Sequence, residues 1–176
     1  MKPADYYHHC LKTLAPEAPS EWTVIEAAYA GRAYHNLTHL EEMLRHFTAL
    51  PTDIAPAAPP TFGIALIYHD LVYSAGRKDN EAKSADLALR ALRKVGAKIA
   101  QEQYCRNLIM ATKTHVATTE DEALLVDLDL AVLARPTEGY DAYAQAVRKE
   151  FSRFPGFLYR PGRKKALRHF LKKDRI

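Results

Sequence analysis

The chain has 176 residues, nearly half of them apolar and only seven of them glycine, which predicts a single domain spanning residues 1–176 without structural disulfides. Cys10 and Cys105 form no CxxC pair, and no apolar run reaches membrane-spanning length, so we expect reduced thiols and a soluble, cytoplasmic protein. The net charge of +4 comes from the C-terminal segment. From Arg160 onward there are eight Lys or Arg residues and one acidic residue, whereas the part of the chain before Arg160 has 17 basic and 20 acidic residues and is therefore slightly acidic.

Helical periodicity dominates the chain, without sustained alternation of period two or an internal repeat, and this predicts an all-α fold. A Pro/Ala-rich connection over residues 51–60 is too short to separate domains. The predicted helices, in chain order, cover about residues 5–14, 20–30, 37–50, 60–73, 80–95, 98–114, 120–133, 137–151 and 162–173.

The fourth predicted helix is apolar on nearly every side but carries His69 and Asp70 near its end. Burying an ionised carboxylate without a partner costs several kcal/mol, so a donor or a cation has to lie beside Asp70. A histidine hydrogen-bonded to a local acid satisfies this requirement, and so does a metal ion bound by both side chains.

Two aspartates interrupt the apolar seventh predicted helix, LLVDLDLAVL. Residues two apart lie about 200° apart around a helix, so Asp127 and Asp129 cannot both point inward along one line. Asp129 shares a row with apolar neighbours and is the favoured inward member. Asp127 is then a surface group, a cap or a partner of a ligand.

The segment YHNLTH places His35 and His39 four residues apart, on one face if the third helix includes both. Two such imidazoles can share a metal, or one can bind it while the other donates a proton. Three helices packed side by side can bring His39, His69, Asp70 and Asp129 to one centre.

These motifs resemble those of the HD-domain superfamily of metal-dependent phosphohydrolases, whose signature is H…HD…D on a helical core. The resemblance is to a small bacterial branch of predicted phosphohydrolases and spans nearly the whole chain, with these matching stretches: GRAYHNLTHLEEML, ALIYHDLVY, DNEAKSADLA, LIMATKTH, LVDLDLAVL and PGRKKALRHFL. It implies an HD-type helical bundle that hydrolyses a phosphate ester.

A more distant similarity to cyclic-nucleotide phosphodiesterases implies the individual roles. Those enzymes carry YHNxxH, HD and a DLS-type stretch before a basic residue and Pro, and this chain has YHNLTH, HD and DLAVLARP. The match makes His39, His69, Asp70 and Asp129 metal ligands and His35 the proton donor to the leaving oxygen, with Asp70 also belonging to the catalytic group. The purine-clamping elements are not recognisable, so cyclic-nucleotide hydrolysis does not carry over.

Substrate phosphate needs further donors. Lys113 and His115, at the end of the sixth predicted helix, are candidates for a phosphate contact or an auxiliary ligand, and otherwise they stabilise the helix C-terminus. Arg32 and Arg135 lie beside motif residues and are similar candidates, or else they form surface salt bridges.

The sequence thus predicts a hydrolase with one divalent ion (Mn, Fe, Co, Ni, Zn or Mg) and a small phosphorylated substrate such as a nucleotide, with no membrane partner. It leaves a homo-oligomer open. Two alternatives remain: an iron-dependent HD oxygenase, and a regulatory or nucleic-acid-binding module that uses a basic terminal helix over about residues 160–175. The simpler interpretation of that basic helix is a solvated surface.

Overall fold

The computed structural model describes residues 1–172 and contains helices and no strand within them, so the prediction of an all-α fold is confirmed. A one-turn 3-10 helix, Ala131–Ala134, follows the seventh α-helix directly. The α-helices are α1 (Pro3–Leu14), α2 (Trp22–Tyr29), α3 (Leu37–Thr48), α4 (Pro59–Tyr68), α5 (Asn80–Lys94), α6 (Ile99–Thr114), α7 (Glu120–Leu130), α8 (Thr137–Glu150) and α9 (Gly156–Phe170).

Helix α4 lies at the centre of the core. Its residues from Thr61 to Tyr68 are all buried, and α1, α5 and α6 pack around it. A helix that is apolar on all sides is stable only when it is surrounded in this way. None of the helices in the described part of the chain combines the length and the apolar character that crossing a bilayer requires.

Side-chain caps fix the starts of two helices that carry candidate ligands. The Asn36 side chain accepts hydrogen bonds from the backbone N–H groups of Thr38 and His39, and this cap starts α3 with His39 in its first turn. Thr119 caps α7 in the same way through the N–H of Glu122. These caps fix the residues at which α3 and α7 begin, and both helices carry motif residues.

Helix α4 ends at Tyr68, earlier than predicted, so His69 and Asp70 lie in the turn that follows it. His69 keeps helical dihedral angles, with φ −54° and ψ −38°. The chain leaves the helix here because the Arg32 guanidinium binds the backbone carbonyls of Asp70 and Leu71, at 2.6 Å and 2.7 Å. Those carbonyls therefore need no further turn of helix to be satisfied.

Several other predicted bounds differ by one or two residues, and two differ by more. The seventh predicted helix is regular only to Leu130 and then tightens into the 3-10 turn. Helix α9 begins at Gly156, not at 162, and contains Pro161. The proline is tolerated because it lies close to the exposed start of the helix, where the carbonyl that it leaves unpaired can be solvated. The predicted residues 173–175 of this helix lie outside the described residues.

Candidate metal centre

Four side chains from three separate elements converge beside the end of α4. Nε2 of His69 lies 3.2 Å from Asp70 Oδ2 and 3.8 Å from Asp129 Oδ1, and Nε2 of His39 lies 3.2 Å from the same Asp129 oxygen. His39, His69 and Asp70 are buried and offer ligand atoms within 4.8 Å of one another. These four residues are the metal ligands that the sequence predicts.

Of the two aspartates in α7, Asp129 is the one that faces the histidines. Its Oδ1 lies near His39 and His69, and its Oδ2 lies 3.6 Å from Nε2 of His115. The inward position follows from the rotation of α7, whose buried residues Leu125 and Leu128 precede Asp129 by four and one positions. No contact between Asp127 and these histidines is observed in the described part of the chain.

The two buried imidazoles are oriented through their Nδ1 atoms. Nδ1 of His69 lies 2.8 Å from the carbonyl oxygen of Leu66, to which it donates, and Nδ1 of His39 lies 3.2 Å from the hydroxyl of Tyr34. Ligand histidines in metalloproteins are commonly held by such an outer contact, which leaves Nε2 for the metal.

The Nε2 atoms of His39 and His69 are buried without a hydrogen-bond partner among the described residues, although each lies 3.2 Å from a carboxylate oxygen. At that separation the carboxylates lie off the direction that a hydrogen bond requires. Two buried imidazole nitrogens without a hydrogen bond and two nearby carboxylates form a ligand set that fits a divalent first-row ion. This fit is the main structural argument for a metal at this place.

The histidines and carboxylates of the centre shift each other's pKa values. Burial would lower the pKa of His69, but Asp70 and Asp129 raise it to about 9. Burial would raise the pKa of Asp70, but His69 and His35 outweigh burial and the pKa falls below its usual range. The pKa of Asp129 is also held well below its usual range, since His115, His39 and His69 outweigh the effect of burial.

His35 lies at the edge of this centre, with Nε2 4.0 Å from Asp70 Oδ2. Its ring stacks on Tyr73, with 3.9 Å between the ring centroids. Its Nδ1 donates to Glu150 Oε2 over 2.6 Å, so Nε2 is the ring nitrogen directed at the centre. Burial would lower the pKa of His35, but Asp70 and the hydrogen bond to Glu150 raise it instead. This arrangement suits a group that holds a proton at Nε2.

Glu150, at the end of α8, is a site residue that the sequence analysis missed. Its Oε1 accepts hydrogen bonds from the backbone N–H groups of Tyr34 and His35, at 2.8 Å and 3.0 Å, while Oε2 accepts from the His35 ring. Burial would raise the pKa of Glu150, but the bonds from His35 and the two N–H groups lower it to about 2. It is therefore a carboxylate that fixes the orientation and tautomer of His35.

The structure brings only one of the two predicted donors at the end of α6 to the centre. His115 has the left-handed backbone conformation, with φ 52° and ψ 33°, and its ring stands edge-on to Phe170 with 5.0 Å between centroids. Its Nε2 faces Asp129, so an auxiliary role stays a prediction with geometric support. Lys113 is exposed and shows no contact with the ligand residues, and its phosphate-binding role stays a prediction.

Arg32 and Arg135 both have structural partners. Arg32 donates to the carbonyls of His35, Asp70 and Leu71 and lies over the ring of Tyr29. Arg135 forms a two-point ion pair with the buried Glu42, with its Nε 2.7 Å from Oε1. These contacts favour positioning roles for both residues over the substrate contacts that the sequence predicts.

Comparison of the chain with models of protein families, with curated proteins and with solved structures gave no match in any of the three searches. The activity therefore has to be inferred from the motifs and from the geometry of the centre.

Proposed function

We propose that the protein is a metal-dependent phosphohydrolase acting on a small phosphate ester such as a nucleotide. The observation that carries the proposal is the convergence, beside His35, of two carboxylates and two buried Nε2 atoms that have no hydrogen bond. His39, His69, Asp70 and Asp129 would hold one divalent ion. Among the described residues a single group of His, Cys, Asp and Glu side chains lies close enough to bind a metal, and this favours one ion over two.

When bound, the ion supplies a Lewis acid for a phosphoryl oxygen and lowers the pKa of a coordinated water. The remaining chemistry belongs to the protein. His35 carries a proton at Nε2, next to the ligands, and gives it to the departing oxygen of the ester. Glu150 stabilises the protonated ring and keeps Nε2 directed at the substrate. A positioned general acid of this kind contributes roughly 10²–10⁴-fold to the rate.

The test begins with metal analysis of the purified protein and titration of the chelator-treated protein with Mn, Fe, Co, Ni, Zn and Mg. We expect about one ion per chain, because the four N and O ligands form a single set of the kind that binds one divalent ion. A screen of nucleotides and phosphomonoesters with each metal then measures released phosphate. Failure to bind any metal overturns the whole proposal, whereas stoichiometric metal without hydrolysis of any ester overturns only the phosphohydrolase assignment.

Three variants separate the roles of the residues. Removing a residue that only hydrogen-bonds a metal ligand lowers metal affinity roughly 10–100-fold. Asp129→Ala removes a proposed ligand itself, so its metal affinity should fall by more than this, and its activity should fall as well. Asp127→Ala, two residues away in the same helix, is the matched control and should retain both. His35→Ala should bind metal normally and lose turnover. Equal metal loss in Asp127→Ala, with none in Asp129→Ala, contradicts the ligand assignment.

A further inference from the structure

Helix α9 contacts the rest of the protein along one narrow stripe. Phe170 is its only buried residue, and Tyr159, Arg163 and Leu167 are half-buried. Tyr159 packs on Phe151, with 5.6 Å between ring centroids, and the Arg163 guanidinium lies over the ring of Tyr143. The opposite side of the helix is exposed to solvent over its whole length.

That exposed side carries a row of cations. We define the cationic face of α9 as Lys164, Lys165 and Arg168 in the helix together with Lys172 two residues past its end, all of them exposed. Lys164 and Arg168 are four residues apart, which places their Cα atoms roughly 6 Å apart along the helix axis, and Lys172 follows four residues later in the turn after the helix.

Within residues 1–172, no carboxylate pairs with the cationic face. The segment 155–172 contains no acid, and none of the ion pairs found within residues 1–172 involves the cationic face. Other exposed cations are paired: Arg77 and Lys83 with Asp79, and Arg93 with Glu102. Like charges four apart on a helix repel each other, so this surface is more favourable when an anionic partner covers it.

The arrangement of the charges identifies the kind of anion. A small anion binds where donors converge, whereas these cations stand in a row on a convex helix and suit an extended polyanion. Adsorption to a membrane requires a continuous apolar face in addition to the charges. In α9 the buried apolar contacts face the body, and the large exposed apolar residues are limited to Phe157 and Leu158 in the first turn and Leu171 just past the end.

We propose that the cationic face of α9 binds the phosphate backbone of a nucleic-acid strand, independently of base sequence. Phosphate contacts by a row of Lys and Arg provide affinity without sequence recognition. The interaction goes beyond the proposed hydrolase activity and does not require it, because none of the four residues belongs to the metal centre.

Fluorescence anisotropy of labelled 20-nucleotide single-stranded RNA, single-stranded DNA and duplex DNA, titrated with the full chain, tests the proposal. Four phosphate contacts predict that affinity falls roughly 50- to 150-fold between 50 and 200 mM salt. The triple variant Lys164→Ala/Arg168→Ala/Lys172→Ala should weaken binding strongly and reduce the slope of log affinity against log salt by about 2 to 3. Its substituted side chains are exposed, so its far-UV circular dichroism and metal content should match those of the wild type.

The matched control is Lys12→Ala/Lys78→Ala/Arg90→Ala, which removes the same charge from exposed positions outside α9 and should bind nearly as the wild type does. No binding at 50 mM salt, unchanged binding in the α9 variant, or equal weakening in the control overturns the proposal. Binding to vesicles containing phosphatidylserine without binding to any of the three nucleic acids also overturns it and assigns the surface to a membrane. Because metal content is measured separately, each of these results leaves the hydrolase proposal intact.

Discussion

The hydrogen bond between His35 and Glu150 determines which ring nitrogen of His35 is available for chemistry. A neutral imidazole donates from one nitrogen only, and a carboxylate at Nδ1 keeps the donor there until a second proton arrives at Nε2. Glu150 also accepts two backbone N–H groups at the start of the YHN segment, so it holds the main chain and the ring together. A single side chain thereby controls both the position and the protonation of the proposed acid.

We predict that Glu150→Gln retains metal affinity and lowers kcat by roughly 10²–10⁴-fold, the contribution of a well-placed general acid. Removal of the negative charge also lowers the pKa of His35, so the alkaline limb of the pH–rate profile should move to lower pH. Steady-state kinetics from pH 5 to 10 measure both effects. The control is Glu138→Gln, an exposed position in the same helix. A lower kcat with an unmoved alkaline limb would mean that Glu150 only supports the fold.

The raised pKa of His69 links the stability of the metal-free protein to pH. The pKa of His69 is about 9 in the folded state, compared with 6.5 for an ordinary histidine. The stabilisation that this proton gives the folded state is therefore complete below pH 6.5 and is lost as pH rises through 9. We expect the free energy of unfolding of the chelator-treated protein to fall over this range by at most about 3 kcal/mol. Urea titrations between pH 6 and 9.5 measure the change. His69→Gln should flatten it, and an equally steep fall in that variant would assign the proton elsewhere.

The residues of the centre differ in how visible they are in the sequence. His69, Asp70 and Asp129 stand out because they are polar groups in apolar helical segments, and helix geometry alone favours Asp129 over Asp127. Glu150 gives no such signal, since it follows Arg148 and Lys149 in a last helical turn that resembles any solvated surface. It is 115 residues from His35, and only the tertiary structure brings the two together.

At the scale of the elements, the turn after α4 depends on one arginine. The Arg32 guanidinium donates hydrogen bonds to backbone carbonyls on both sides of the centre: that of His35 on one side and those of Asp70 and Leu71 on the other. Its guanidinium also lies over the rings of Tyr29 and Tyr73. The turn that carries His69 and Asp70 is therefore held by a side chain and not by continued helical hydrogen bonding.

We predict that Arg32→Ala destabilises the fold by roughly 2–4 kcal/mol, because partly buried carbonyls lose charged donors. Metal affinity should fall as well, since Asp70 loses its fixed backbone. Urea unfolding and metal titration measure the two effects. Arg77→Ala is the control: Arg77 is exposed and paired with Asp79, and its loss should leave the free energy of unfolding nearly unchanged because solvent screens an exposed ion pair. Equal losses in the two variants would contradict a special role for Arg32.

Prediction of the elements succeeded where a pattern had a single physical meaning. The apolar segment of α4 is too long for a typical buried strand and follows Pro59–Pro60, which suit a helix start, and Asn36 before α3 is a strong N-cap. The 3-10 turn after α7 could not be predicted, because its side-chain pattern is also compatible with continued α-helix. The predicted start of α9 at residue 162 is six residues late, because the observed helix begins at Gly156 and continues through Pro161, and a proline close to the start of a helix loses little.

At the scale of the whole molecule, the centre joins distant parts of the chain. Its side chains come from the segment that begins α3, the turn after α4, α7 and the end of α8, and they meet beside the core formed around α4. The class of fold follows from periodicity in the sequence. The packing order of the helices does not, because every amphipathic face is compatible with several neighbours.

An ion bound at the junction of these elements should stabilise the entire fold. Binding to the native state alone contributes about 2.7 kcal/mol when free metal is 100 times Kd, which for a chain of this size corresponds to a rise in Tm of roughly 5–10 °C. Thermal unfolding at increasing metal concentration measures the effect. Asp129→Ala should remove the increment and Asp127→Ala should keep it. A Tm that is independent of metal in the wild type would contradict a site in the native structure.

The unequal exposure of the four proposed ligands has a kinetic consequence. The side chains of His39 and His69 are 1% exposed, whereas those of Asp70 and Asp129 are 13% and 15% exposed. Water can therefore reach the centre from the carboxylate side and not through the imidazoles. An ion would enter and leave by that route, exchanging its water ligands for the carboxylate oxygens of Asp70 and Asp129 first. The residence time of the ion would therefore depend on how often these two carboxylates dissociate from it.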